Sequence, residues 1–174
     1  MTDPTHGQDG THDHGAFHGE AADAPPVRIL VVCWGNSARS ILGEALFRHL
    51  GGDRVEVHSA GIEPKGVNPL TIRVLEEAGI STEGLESKSV NEFLGQRFDY
   101  VITVCDDARG ACPVFPGVAE SMHWGYPDPA KAEGTEEERL VAFRAVLKGL
   151  GQRIHQFLPI AERHVAQRTG VQLG

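Results

Sequence analysis

The sequence has no apolar run close to the roughly 20 residues that a membrane-spanning helix needs, so no transmembrane segment is predicted. No Lys or Arg stands before Arg28, which leaves no basic start for a secretory signal, and we expect a cytoplasmic protein. Basic residues are outnumbered, with 16 Lys and Arg against 24 Asp and Glu, and the net charge of −8 argues against nucleic-acid binding. The 3 cysteines are too few and odd in number for a secreted disulfide scaffold, so they are candidates for catalytic or redox groups.

The shortage of positive charge is greatest at the start of the chain. Residues 1–26 contain five acidic residues, no Lys or Arg, almost no large apolar side chain, and the histidines His6, His12, His14 and His18. Because this segment cannot offset the entropy of ordering, we predict a disordered tail over residues 1–26. Its histidines could bind a transition metal loosely, but a solvated leader with no fixed role is the favoured interpretation. The 174-residue chain is then expected to have one domain over residues 27–160 and a frayed tail over 161–174.

Apolar periodicity and capping signals predict alternating strands and helices. The segments 27–32 and 100–104 are apolar runs rich in β-branched residues, typical of buried parallel strands. The other predicted elements are a helix over 40–50, a strand over 54–58, a helix from Asn68 to about Gly79, a short helix opened by Ser89 and Glu92, a strand over 120–124, and a helix over 135–157 opened by Thr135 and Glu138. This order predicts an α/β fold, a three-layer sandwich around a four-stranded, mostly parallel sheet.

The densest chemical signal lies between the first strand and the first helix, in Cys33-Trp34-Gly35-Asn36-Ser37-Ala38-Arg39-Ser40. A loop at this place aims backbone N–H groups and a helix N-terminus at one point, which makes an anion-binding site. Gly35 and Asn36 tolerate positive φ, which helps a tight loop to close around an oxyanion. Arg39 can hold two oxygens of the same anion, and these surroundings favour the thiolate of Cys33. The segment therefore predicts a cysteine nucleophile beside a bound tetrahedral oxyanion.

This segment resembles the phosphate loop of the low-molecular-weight protein tyrosine phosphatases and of the arsenate reductases that share their fold. His58-Ser59-Ala60-Gly61-Ile62 and Val67-Asn68-Pro69 resemble segments of the same family. The resemblance implies a low-molecular-weight-phosphatase-like fold, with Cys33 as the nucleophile. It also implies oxyanion binding by Trp34, Gly35, Asn36, Ser37, Ala38, Arg39 and Ser40. The chain departs from the family pattern at Ala38, where a second cysteine is common, and at Trp34, where a small residue is common.

Two further cysteines distinguish the two branches of this family. A phosphatase hydrolyses a phosphocysteine, whereas a reductase needs further thiols to supply two electrons. Cys105 and Cys112 resemble the redox pair of thioredoxin-coupled arsenate reductases, which implies a Cys33–Cys105 disulfide and then a Cys105–Cys112 disulfide that thioredoxin reduces. Seven residues of helix span about 10 Å, but a disulfide needs Cα atoms within about 7 Å. If the 105–112 segment is helical when reduced, it must unwind to oxidise, and Gly110 and Pro113 favour such a mobile redox loop.

The resemblance also implies a general acid. Asp128 precedes Pro129 at a place where an Asp-Pro pair recurs in both branches, and it would protonate the departing oxygen. Phosphatases of the family usually carry a tyrosine after this pair, which stacks on an aryl substrate. Here Ala130 follows, and this difference favours a small inorganic substrate.

In some reductases of the family a potassium ion lies behind the phosphate loop. Its ligands resemble Asn36, Glu44 and Ser59 of this chain, but the position of an aspartate ligand holds Lys88. The ammonium of Lys88 could replace the ion and pair with Glu44, which implies little dependence of activity on potassium. The alternative is that Lys88 is a solvated surface residue. No metal site is predicted in the folded domain.

The sequence therefore favours a thioredoxin-dependent arsenate reductase for arsenic detoxification, with phosphate and sulfate as analogues of the substrate. We expect a monomer without bound metal or organic cofactor, and without a nucleic-acid or membrane partner. Two alternatives stay open. The first is a phosphatase of phosphate monoesters whose other cysteines are protective or idle, against which Cys105 and Cys112 argue. The second is a non-enzymatic oxyanion or metal sensor, against which the Cys33 loop and Asp128 argue.

Overall fold

The computed structural model describes residues 24–115, 117 and 120–170. Within them, β1 (Val27–Cys33), β2 (Val55–Gly61), β3 (Tyr100–Thr103) and β4 (Glu120–His123) form one sheet in the order β2-β1-β3-β4. Each of the three strand pairings is parallel. The predicted α/β fold with a four-stranded sheet is therefore confirmed.

β1 occupies the interior of the sheet because its sequence is apolar on both faces. Successive residues of a strand point to opposite sides, and every residue of β1 except Arg28 is buried. Both faces of the sheet are thus covered, as in a three-layer fold. Since the strands are parallel, the segments that follow β1, β3 and β4 meet at one edge of the sheet, and Cys33, Cys105 and Asp128 all belong to these segments.

In the described residues the sheet is accompanied by the helices α1 (Arg39–Gly51), α2 (Pro69–Glu77), α3 (Asp106–Ala111) and α4 (Glu136–Thr169), and by 3-10 turns at Gly52–Arg54, Val90–Phe93 and Pro129–Lys131. α1 packs against β1, β2 and α4. The Asn68 side chain caps α2 by accepting a hydrogen bond from the Leu70 amide at 2.9 Å, as predicted. The predicted Ser89/Glu92 and Thr135/Glu138 pairs both form capping boxes, the first on a 3-10 turn.

Two segments differ from the prediction. α3 is absent from the predicted elements, because six residues are too few to display a helical period. Where a frayed tail is expected over 161–174, α4 continues to Thr169 and buries Ala161 and Val165. This packing offsets the hydrogen bond that Pro159 removes from the helix. Residues 171–174 lie outside the described residues.

The predicted N-terminal tail also falls largely outside the structure. Residues 1–23, with their four histidines, are outside the described residues, and only the last three positions of the predicted tail are inside. None of the helices in the described part of the chain is both long and apolar enough to cross a membrane.

Candidate active site

The predicted oxyanion loop joins the end of β1 to the start of α1. Cys33 is the last residue of β1 and is buried. Asn36 is the one non-glycine residue in the described part of the chain with a positive φ, at 45°, so it supplies the left-handed turn that closes the loop. Gly35, expected to share this role, has a negative φ. Its missing side chain instead makes room for Lys65, whose Cδ would lie 3.2 Å from a Cβ at position 35.

The side chain of Asn36 fixes the shape of the loop from inside. It is fully buried, and its Nδ2 donates to Ser40 Oγ at 2.7 Å and to Ser59 Oγ at 3.0 Å. Its Oδ1 accepts from the backbone amide of Lys88 at 2.7 Å. Every polar atom of this amide side chain is therefore used, and the loop is joined to α1, β2 and the segment before Ser89.

The thiol of Cys33 lies against two polar groups of the loop. The Asn36 amide donates to Sγ at 3.2 Å, and Ser40 Oγ lies 2.8 Å from Sγ. Because Ser40 Oγ already accepts from Asn36 Nδ2, its own proton is free to point at the sulfur. Hydrogen bonds donated to sulfur stabilise the thiolate, which is the nucleophilic form of cysteine.

The carbonyl groups of the loop are held by residues 62–68, which we call the bracing segment. Four carbonyls accept from its amides: Cys33 from Ile62 at 3.2 Å, Trp34 from Glu63 at 2.9 Å, Gly35 from Lys65 at 2.9 Å, and Ser37 from Asn68 at 3.0 Å. The Ser37 carbonyl also accepts from Thr71 Oγ1 at 2.9 Å. These bonds occupy four carbonyls of the loop and fix its backbone, and the Asn36 amide points at the thiol, an arrangement that suits an anion-binding site.

Gly61, the last residue of β2, allows this close packing of the bracing segment on the loop. A Cβ at position 61 would lie 2.7 Å from the Asn36 amide nitrogen and 2.8 Å from the Trp34 carbonyl oxygen. Both contacts are with backbone atoms, which cannot rotate away. The sequence presents Gly61 inside a family-like segment, but its role depends on a contact between distant residues and is visible only in the fold.

Arg39 and Asp128, predicted as anion clamp and acid, lie side by side. Arg39 Nη1 donates to the Tyr126 carbonyl at 3.0 Å, and its Nη2 lies 3.7 Å from Asp128 Oδ2. Asp128 in turn caps the 3-10 turn Pro129–Lys131, because its Oδ1 accepts from the Ala130 amide at 3.0 Å. The cap fixes one carboxylate oxygen and leaves the other toward Arg39.

A cavity of about 530 Å³, the Cys33 cavity, brings most of the predicted site residues together. Its lining includes Cys33, Trp34, Gly35, Ser37, Ala38, Arg39, Cys105 and Asp128. Lys65, Asp106, Asp107 and Lys131 also line it and are not among the predicted site residues. Trp34, at a departure from the family pattern, forms part of this wall and donates from Nε1 to Glu63 Oε2 at 3.2 Å.

Cys112 does not share the Cys33 cavity. It follows the last residue of α3, whereas Cys105 precedes the first residue, so the helix separates the predicted redox pair. Cys112 lines a second cavity of about 320 Å³, the Cys112 cavity, and burial raises the pKa of its thiol. All three cysteines are free thiols.

The predicted loop-support residues form one cluster behind the loop. Glu44 is buried, accepts a short hydrogen bond from the Ser59 hydroxyl, and pairs with Arg48. Arg48 pairs with Glu44 Oε2, and the ammonium of Lys88 lies 3.8 Å from the other carboxylate oxygen, Glu44 Oε1. The buried carboxylate thus has cations on both of its oxygens. Among the described residues, no three His, Cys, Asp or Glu side chains converge in a metal-binding arrangement.

The fold and this loop define a class of small α/β enzymes in which a cysteine at a strand end meets an oxyanion cradle. The chain belongs to the low molecular weight phosphotyrosine protein phosphatase family, whose model matches residues 28–169. A curated relative, an arsenate reductase of Halalkalibacterium halodurans, is 43% identical over 129 residues, which cover 74% of this chain and 93% of that protein. The resemblance predicted from the Cys33 segment is therefore confirmed.

Solved structures agree with this assignment. An arsenate reductase in the oxidized state superposes with a TM-score of 0.67 and 26% identity, covering 77% of this chain and 98% of that one. A thioredoxin-dependent arsenate reductase of Corynebacterium glutamicum gives a TM-score of 0.61 and 25% identity, covering 86% of this chain and 71% of that one.

Proposed function

We propose that this protein reduces arsenate to arsenite, using the thiols of Cys33, Cys105 and Cys112 and electrons from thioredoxin. The observation that carries the proposal is that two of these thiols, Cys33 and Cys105, line one cavity together with Arg39 and Asp128. Hydrolysis of a phosphate ester does not require the second thiol there. The names of the relatives add independent support.

The first step forms a bond between sulfur and arsenic. Arsenate lies in the loop with its oxygens toward the amides and Arg39, and the Cys33 thiolate attacks arsenic. Asp128 gives its proton to the departing oxygen, which leaves as water. The product is an arsenate thioester of Cys33, in which arsenic is still pentavalent.

The second step transfers the two electrons. Cys105 Sγ attacks Cys33 Sγ, the S–S bond forms, and the S–As bond breaks with its electron pair passing to arsenic. The proton of the Cys105 thiol passes to an oxygen of the departing group, which leaves as arsenite. The sheet supports this step, because Val32 pairs with Thr103 and the Val104 amide donates to the Val32 carbonyl at 2.9 Å. Neighbouring strands lie about 4.8 Å apart, within the Cα separations of about 4.4–6.8 Å that disulfides bridge. Val104 is thus level with Cys33 and Cys105 is one residue further along, and both thiols belong to residues that line the Cys33 cavity.

The third step needs more movement. Cys112 Sγ attacks Cys105 Sγ, a second disulfide forms, and Cys33 leaves as a thiolate. Because α3 lies between these two cysteines, it must unwind before their Cα atoms can approach. Gly110 inside the helix and Pro113 just after it lower the cost of this unwinding. The dithiol of thioredoxin then reduces the Cys105–Cys112 bond.

The direct test is arsenate-dependent oxidation of NADPH by the wild-type protein in the presence of thioredoxin and thioredoxin reductase. Turnover that stops when either arsenate or thioredoxin is omitted is the expected result. Hydrolysis of an aryl phosphate without any arsenate turnover would instead identify a phosphatase. Binding of arsenate without either reaction would identify a sensor.

Asp128→Asn should lower kcat for arsenate by about 100-fold, because an amide cannot give a proton to the departing oxygen. KM should stay the same or fall, since the change removes a negative charge from the wall of an anion site. Steady-state kinetics of arsenate reduction measures both constants. Asp53→Asn, at an exposed position in the turn after α1, is the matched control and should have wild-type kinetics. An unchanged kcat in Asp128→Asn would assign the acid role elsewhere.

Potassium should not activate the enzyme, because the ammonium of Lys88 already lies beside Glu44. The measurement compares kcat/KM in potassium and sodium salts at equal ionic strength. Lys88→Asp should create a potassium requirement by adding a carboxylate beside Glu44, whereas Lys148→Asp on the exposed surface of α4 should not. Several-fold activation of the wild type by potassium would contradict the proposed role of Lys88.

A further inference from the structure

His123, the last residue of β4, links β3 to α3 through a chain of hydrogen bonds. Its Nδ1 lies 2.8 Å from Thr103 Oγ1 on β3, and its Nε2 lies 2.8 Å from Asp106 Oδ1 on α3. The His123 side chain is only 19% exposed, whereas that of Asp106 is 89% exposed. The imidazole is therefore held in place by its surroundings, whereas the exposed Asp106 carboxylate is free to move away from it.

The position of this pair relates it to the thiol relay. Asp106 directly follows Cys105 and lines the Cys33 cavity, whereas His123 and Cys112 both line the Cys112 cavity. One hydrogen bond thus joins the cavity of the first thiol exchange to the cavity of the second. Unwinding of α3, which the relay requires, moves Asp106 and breaks this bond.

The second exchange poses a proton problem that the residues named so far do not solve. Cys112 must lose its proton to attack Cys105, but burial raises the pKa of its thiol. Among the described residues that line the Cys112 cavity, His123 is the one whose side chain carries an imidazole, the group that most often serves as a general base.

Thr103 allows the imidazole to take up this proton. In the tautomer that carries its proton on Nε2, Nε2–H donates to the Asp106 carboxylate and Nδ1 accepts from the Thr103 hydroxyl. Thr103 Oγ1 also lies 3.4 Å from the Met122 carbonyl. Once Asp106 has left, Nε2 gives its proton to water and Nδ1 takes one from water, so that Nδ1–H donates to the hydroxyl and the hydroxyl donates to this carbonyl. That arrangement leaves the lone pair of Nε2 open at the place that Asp106 has left, which the unwound segment carrying Cys112 can reach.

We propose that His123 is the general base of the second thiol exchange, released for this task when α3 unwinds. Nε2 takes the proton of Cys112 as Cys112 Sγ bonds to Cys105 Sγ. The Cys33–Cys105 bond breaks, and its electron pair leaves on Cys33 Sγ as a thiolate. The proton then passes from the imidazole to solvent. This assignment rests on the proposed thiol relay and adds to it the residue that controls one of its steps.

The test separates the two exchanges in a single turnover without thioredoxin. Samples quenched in acid give the rate of arsenite release, which reports the first exchange. Mass mapping of the disulfides gives the rate at which Cys33–Cys105 becomes Cys105–Cys112. In His123→Gln, release should keep its wild-type rate, and the second exchange should slow by about 100-fold, the effect of losing a general base. His155→Gln, at an exposed position of α4, should change neither rate.

Two further readouts distinguish a base from a merely structural residue. The second exchange in His123→Gln should accelerate with pH more steeply than in the wild type, because hydroxide must then ionise Cys112. The charged or titratable groups around the imidazole are Asp106, Arg109 and Cys112, and Asp106→Asn should not slow this exchange. Added imidazole should restore the rate in His123→Ala. A wild-type rate of the second exchange in His123→Gln, or equal slowing of both exchanges without rescue, would overturn the proposal.

A peroxide experiment makes the test independent of arsenate. Hydrogen peroxide oxidises the Cys33 thiolate to a sulfenic acid, and Cys105 displaces water from it to form the same Cys33–Cys105 bond. Cys112 then performs the same second exchange, and His123→Gln should slow it to the same extent. If peroxide gives both disulfides in the wild type and arsenate gives neither, the proposed function fails while the role of His123 is still measured.

Discussion

Cys33→Ser should abolish arsenate reduction and aryl-phosphate hydrolysis alike, each by at least about 10⁴-fold, because a serine hydroxyl keeps its proton in a site built for a thiolate. Cys105→Ser should abolish reduction to the same extent and leave aryl-phosphate hydrolysis close to wild type. The difference follows from chemistry: hydrolysis of a cysteine ester needs only water, but release of arsenite needs a second sulfur to take the place of arsenic. Both variants preserve the shape of the side chain closely.

The measurements are NADPH oxidation coupled through thioredoxin, and release of the aryl alcohol from an aryl phosphate. Cys112→Ser provides the matched control for the relay, because it should release one equivalent of arsenite and then stop with a Cys33–Cys105 disulfide. Repeated turnover by Cys105→Ser with thioredoxin would contradict the three-thiol scheme. Loss of both activities in Cys105→Ser would show that Cys105 supports the loop itself.

Gly61→Ala should lower kcat/KM by about 100-fold or more, although the residue touches no substrate. The added methyl group would meet the Asn36 amide nitrogen at 2.7 Å and the Trp34 carbonyl oxygen at 2.8 Å, so the loop or β2 must shift. A displacement of about 1 Å in a catalytic group can cost about 100-fold in rate. The same crowding should lower the free energy of unfolding by about 1–3 kcal/mol.

Gly151→Ala is the matched control for this prediction. It lies inside α4, where a Cβ would meet only Leu46 Cδ2, at an ordinary 3.7 Å. Because alanine costs less backbone entropy than glycine in a helix, this variant should gain about 0.5–1 kcal/mol of stability and keep its activity. Denaturant unfolding and steady-state kinetics measure both effects. Wild-type activity in Gly61→Ala would mean that the bracing segment does not set the geometry of the loop.

Local signals in the sequence predict much of this fold. The apolar run of β1, the Asn68 cap and the two capping boxes each depend on residues close together in the chain, and each is present in the structure. The Cys33 loop is equally local, since its cysteine, asparagine and arginine lie within seven positions. These features are predictable because the forces that create them act between near neighbours.

Features that depend on distant residues escape the same reasoning. The bracing segment forms hydrogen bonds with the loop across about thirty positions of sequence, and no local pattern in the segment predicts this pairing. The continuation of α4 past Pro159 depends on core packing of Ala161 and Val165. The bond between His123 and Asp106 forms because β4 lies next to β3, an order that the sequence does not reveal.

The strand order β2-β1-β3-β4 divides the chemistry of this protein into two modules. The oxyanion cradle and its brace are built on β1 and β2, while Cys105, α3 and His123 follow or end β3 and β4. Cys33 ends β1, which lies next to β3, and in the proposed relay it reacts with Cys105 of the other half. In the proposed relay, changes confined to the β3–β4 half would therefore alter electron transfer, while the loop on β1 and β2 would still bind the anion.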